Sequence, residues 1–202
     1  VVRGRKISSA KNPLFRFGSN CTFRGGVLAH RPCAVLGESL GCICEQAGVD
    51  YQTHTFEHDP RAQNYGAEAA LALGVEPSQV FKTLVLEVDT QPVCVVVPVT
   101  AQAALKCVAL AHGGKRAAMM APRDVARITG YVLGGVSVLG QKRALPTYLD
   151  DSVNNWDTIF ISAGRRGLEL QIKPSDLQKL TSGVFGNLAT ISDPHDHTSQ
   201  RQ

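Results

Sequence analysis

Lys82 stands inside the apolar run VFKTLVLEV, and its ammonium is the first group in this sequence that chemistry has to explain. If Val80–Val88 is a strand, alternation puts Val80, Lys82, Leu84, Leu86 and Val88 on one face and Phe81, Thr83, Val85 and Glu87 on the other. Taking a lysine out of water without a partner costs several kcal/mol. Two readings follow. Either the side chain snorkels from the strand to solvent, or it projects into a pocket and holds a carbonyl or hydroxyl oxygen.

The second candidate is TGYVLGGVSVLGQKRALP, residues 129–146, where Gly134-Gly135 separates two apolar segments and Lys142-Arg143 follows. Glycines near basic residues suggest a phosphate cradle, but the GxxxxGK[ST] and GxGxxG orders are both missing. What remains is a loop whose backbone can approach a ligand closely. In His54-Thr55-Phe56-Glu57-His58-Asp59, a strand would place both imidazoles on one face. No third ligand follows at a metal-binding spacing, so a polar strand end entering a turn at Asp59-Pro60 is the better reading. There is no GxSxG elbow, and Ser137 and Ser162 lie near glycines without an obvious base. An enzyme built on this chain would work without a protein nucleophile. The pairs Lys115-Arg116, Lys142-Arg143 and Arg165-Arg166 all fall at turns; singly they are solvated, and together they could hold a nucleic-acid backbone.

The elements that must position these groups become legible from about Val49. Val49–Phe56 reads as a strand, and Asn64 caps a helix over 65–73 that Gly74 stops. VFKTLVLEV and VCVVVPV are strands, the second apolar enough to be buried on both faces. Thr100 is expected to cap a second helix running to about His112, and Pro122 opens a short third. PTYLD, DTIFISA and LELQI supply further strands, and Pro174 opens a final helix that fades near Gly183. The mixture is α+β, a single domain with a curved mixed sheet surrounded by helices. Domain boundaries are expected at 1–45 (an atypical basic segment, partly disordered or the remnant of a first helix), 46–190 and 191–202 (a polar tail).

Composition agrees with a globular domain: 202 residues, 44% hydrophobic and 19% charged, with a net charge of +4. No apolar run is long enough to cross a bilayer and no secretory signal opens the chain, so a cytoplasmic protein without membrane contact is expected. Cys94 and Cys107 read as small buried hydrophobes. Cys21, Cys33, Cys42 and Cys44, with His30, lack the paired spacing of a zinc site, and no metal is expected.

The segments EHDPRAQNYGAEAALALGV, VFKTLVLEV, TGYVLGGVSVLGQKRALPTYLD and ISAGRRGLELQIKPSDL together resemble the YbaK / prolyl-tRNA-synthetase-associated domain family, over roughly residues 46–190 and in order. Its Cys-tRNA(Pro) deacylase branch is the most similar. The resemblance implies a curved mixed sheet, a barrel-like domain, and hydrolysis of mischarged tRNA without cofactor, metal or protein nucleophile. It implies that Lys82 and Gly134 act on the ester and that Phe56, Tyr65, Thr83, Gly135, Ser162 and Glu169 bind substrate. Lys142, Arg143, Arg165 and Arg166 become candidates for tRNA contact. The implied partners are Cys-tRNA(Pro) and prolyl-tRNA synthetase; a non-catalytic tRNA- or synthetase-binding module is the competing expectation. The sequence departs from the family where Val138 replaces a loop proline, Phe56 a frequent tyrosine and Glu169 a frequent aspartate.

Overall fold

The computed structural model describes residues 38–62 and 64–191. Ten strands run in chain order: β1 (Tyr51–Thr55), β2 (Val80–Val88), β3 (Gln91–Pro98), β4 (Ala101–Ala103), β5 (Ala117–Met119), β6 (Thr147–Asp150), β7 (Ile159–Ser162), β8 (Leu168–Ile172), β9 (Val184–Gly186) and β10 (Ala189–Ile191). Five helices accompany them: α1 (Glu38–Ala47), α2 (Tyr65–Leu73), α3 (Leu105–Ala111), α4 (Pro122–Thr129) and α5 (Pro174–Thr181).

The main sheet has the order β1-β8-β7-β2-β3-β6-β9, with β5 also paired to β2. It is mixed: β2 runs antiparallel to β3 and parallel to β7, and β3 is parallel to β6. The β2–β3 hairpin turns on Asp89 and Thr90, both at positive φ, as a two-residue turn that follows strand twist requires.

Both faces of the sheet are covered. One packs Phe81, Val85, Cys94, Val96, Ile161 and Leu170 against Leu40 and Cys44 of α1, Val125 of α4, Leu177 of α5 and Tyr131 of the 131–146 loop. The core therefore extends back at least to Leu40. On the other face, α3 covers Leu86, Val88, Val93, Val95 and Val97, while α2 covers Val80 and Phe160.

Several expectations hold residue by residue. Asn64 Oδ1 accepts from Ala67 N–H at 3.1 Å, and Gly74 ends α2 at φ +67°. Two need correction. Thr100 does not cap a helix: Ala101–Ala103 is a strand paired with Ala189–Ile191, and α3 begins only at Leu105 after Ala104, which offers no side-chain cap. The distant partner strand takes the backbone groups that a helix would otherwise have used. Cys107 is exposed, whereas Cys94 is buried; α3 turns Val108 and Ala109 inward, and the residue before them faces solvent.

Candidate active site

Strand register gathers polar side chains onto the sheet face that α2 covers. On β8, Glu169 lies opposite Ser162 of β7 and His54 of β1, so all three project to the same side. The parallel pairing Val80–Phe160 and Phe81–Ile161, continued one residue, sets Lys82 beside Ser162. Lys82 thus occupies the interval between the α2 cluster, which holds Val80, and the α3 cluster, which holds Leu86 and Val88. It is half-buried, burial pushes its pKa down, and no ion pair engages it among the described residues. Ser162 Oγ is buried and unpaired among the described residues. Glu169 is pushed up to about 8 by burial, so its carboxyl is largely protonated at neutral pH. Thr83 faces the opposite side of β2, where its Oγ1 is buried and unpaired.

This arrangement adjoins a narrow cleft that Glu169 also lines. Phe56, His58 and Gly167 lie together on one side, Tyr65, Gly134 and Arg166 pack on one another on the other side, and Glu68 and Glu169 complete the lining. Arg166 joins the loop to α2: Nε and Nη2 donate to Leu133 O at 3.1 and 3.0 Å, and the guanidinium lies 4.8 Å from the Tyr65 ring centroid. Between these two side chains sits Gly134 at φ +82°, where a Cβ would come within 2.8 Å of Tyr65 Cε2 and 2.9 Å of Arg166 Nε. Conformation and space both require glycine there. A Cβ on Gly135 would lie 2.9 Å from Arg165 Cα, so loop and turn meet backbone to backbone.

The loop is braced from behind. Tyr131 is fully buried, its hydroxyl donates to Leu139 O at 2.8 Å, and burial raises its pKa to about 12. Gln141 Nε2 donates to Ser137 O at 2.9 Å. Gly135 N–H is spent on Val132 O at 3.0 Å, whereas Gly134 N–H donates to no protein group among the described residues. Val138 is buried, and its N–H likewise has no protein acceptor among the described residues.

Of the residues expected from sequence, the cleft brings together Phe56, Tyr65, Gly134 and Glu169; Ser162 and Lys82 lie on the adjoining sheet face, and Thr83 does not. Lys142, Arg143, Arg165 and Arg166 are all exposed, and Arg166 in addition lines the cleft. The two histidines of the 54–59 segment part company. His54 Nε2 meets Gln171 Oε1 at 2.9 Å, while His58 Nδ1 meets Glu68 Oε2 at 2.8 Å. Sequence reasoning missed the His58–Glu68 pair; its trace is a histidine just before the Asp59-Pro60 turn and an acid in the first turn of the helix that follows. No group of three or more His, Cys, Asp or Glu side chains is placed to hold a metal among the described residues; Cys21, His30 and Cys33 lie outside them.

Residues 59–180 match the family model for the aminoacyl-tRNA editing domain. A protein of Enterococcus faecalis provisionally named a Cys-tRNA(Pro)/Cys-tRNA(Cys) deacylase is 36% identical over 150 residues, covering 73% of this chain and 90% of that protein. An uncharacterized Bacillus subtilis protein is 26% identical over 114 residues, covering 56% of this chain and 73% of its own length. The crystal structure of a protein provisionally described as a trans-editing enzyme for prolyl-tRNA synthetase superposes with TM-score 0.67 at 22% identity, covering 78% of this chain and 99% of that one. The crystal structure of a hypothetical protein superposes with TM-score 0.68, also at 22% identity, over 75% of this chain and 99% of that one. At such identities these structures bear on the fold.

Proposed function

The chain belongs to the aminoacyl-tRNA editing domain family, and from that premise we propose that it is a trans-editing deacylase that releases cysteine from Cys-tRNA(Pro) in the cytoplasm, beside prolyl-tRNA synthetase. The observation that carries this reading is the alignment of Lys82, Ser162 and Glu169 on one sheet face that runs into a small cleft walled by Gly134. The cleft is a narrow one among Phe56, Tyr65, Gly134 and Glu169, and it is assigned to the aminoacyl group, with the terminal ribose left at the mouth.

Hydrolysis of an ester needs donors where negative charge gathers on the carbonyl oxygen. Gly134 N–H is such a donor. Lys82 orients the ester and the ribose hydroxyls, a positioning contribution rather than covalent catalysis. The attacking group is the substrate's own thiol: the S–C bond forms, the C–O bond to ribose breaks, the proton lost by sulfur ends on the ribose oxygen, and water then opens the released cyclic thioester to cysteine. This route needs neither a protein nucleophile nor a metal. Ser162 and Glu169 line the aminoacyl end, with Phe56 and Tyr65 beside it. Lys142, Arg143 and Arg165 follow the tRNA backbone, which makes binding weaken steeply with salt.

The test is a panel of preformed Cys-, Ala- and Ser-tRNA(Pro), each assayed with and without prolyl-tRNA synthetase. Cysteine release is expected to be fastest. Salt-sensitive tRNA binding with no hydrolysis above background for any member would replace the deacylase with a tRNA-binding module.

A further inference from the structure

His58 is given no role in the function above, yet it belongs to the cleft lining. Glu68 Oε2 meets its Nδ1 at 2.8 Å, and Glu68 Oε1 accepts from Asp59 N–H at 2.6 Å. A carboxylate only accepts, so Nδ1 carries the hydrogen and neutral imidazole presents Nε2 as a base. That Nε2 is buried and has no partner among the described residues. A histidine kept only to staple the turn to α2 would need Nδ1 alone, whereas burying a second nitrogen unpaired is costly. His58 and Gly134 both line this cleft, so a carbonyl held at Gly134 shares it with the imidazole.

We infer that His58, oriented by Glu68, is the proton-transfer group of this site. Nε2 takes the proton from the attacking thiol as the S–C bond forms and returns it to the ribose oxygen as the C–O bond breaks, leaving the histidine unchanged. His58 would be catalytic, and Glu68 a positioning residue. The inference rests on the deacylase reading above. The other charged or titratable groups facing His58 are Tyr65 and Glu68 on α2, Asp59 beside it in the chain, Glu169 on β8 and Arg166 in the opposite wall.

The decisive variant is His58→Asn, which keeps a donor for Glu68 where Nδ1 stood and removes Nε2. With Cys-tRNA(Pro), kcat is expected to fall about 10²–10⁴-fold with little change in KM, and the acidic limb of the kcat/KM profile should vanish. Glu68→Gln should lower kcat with little change in KM, because an amide no longer fixes which imidazole nitrogen carries the hydrogen. The limb should persist in Glu169→Gln; a limb lost there instead belongs to Glu169 and overturns the inference. Wild-type kcat with an intact limb in His58→Asn also overturns it, while the deacylase reading stands. A wild-type protein inactive on every aminoacyl-tRNA overturns both. Should His58→Asn lose cooperative unfolding, Glu68→Gln decides, and a wild-type kcat there is the contrary result.

Discussion

Two helices cover one face of the sheet and leave it in opposite chemical states. Under α3, Leu86, Val88, Val93, Val95 and Val97 are fully buried with Val108. The polar pair at its edge, His112 Nδ1 to Tyr148 Oη at 2.7 Å, is closed on itself. Under α2, Val80 and Phe160 are buried by two alanines, and the polar groups around them stay open. Lys82 is half-buried with no ion pair among the described residues, Ser162 Oγ and His58 Nε2 are unpaired, and Glu169 is held protonated by burial. A fold able to seal one half of a face keeps the other half unsatisfied at a cost of about 1–3 kcal/mol for each group. The groups that bear this cost are those a substrate would pair.

Mutations on the two sides should therefore separate stability from chemistry. Leu86→Ala, under α3, is expected to lose about 2–5 kcal/mol of stability in denaturant unfolding, with the deacylation rate per folded molecule unchanged. Gly134→Ala, in the cleft wall, should do the reverse. It strains a positive φ and drives a methyl against Tyr65 and Arg166, and displacement of the carbonyl donor should lower kcat about 10²–10³-fold.

Glu169 bridges the two categories, and its sign is opposite to that of most carboxylates. Its folded pKa of about 8 lies above its ordinary value of 4.5, so folding takes up a proton between those values. The contribution of Glu169 to stability is full below about pH 4.5 and falls as pH rises toward 8, by at most about 1.4 kcal/mol per unit. Glu169→Gln should flatten that slope in unfolding measured from pH 5 to 8. The smallest expected effect is at Val138, whose N–H gives up nothing if it is removed. Val138→Pro should stabilise by about 0.4–1 kcal/mol through the unfolded chain, without loss of rate.

The parts legible in sequence were those specified locally. Asn64 and Gly74 bracket α2 by their own capping chemistry, and the alternation of VFKTLVLEV places Lys82 before any partner strand is known. The failures share one cause, which is that the deciding partner is distant in the chain. Ala101–Ala103 is a strand only because Ala189–Ile191 arrives beside it. The use of Arg166 in the wall depends on Leu133 and Tyr65. His58 gains its role only when α2 folds Glu68 back onto it, a contact that strand periodicity cannot register.

The most direct test compares release of cysteine from preformed Cys-tRNA(Pro) by the wild-type protein and by Lys82→Ala, both verified as folded. Loss of ester positioning is expected to slow Lys82→Ala by at least about 100-fold. Equal rates would remove Lys82 from the mechanism and leave the open half of the sheet face without its central group.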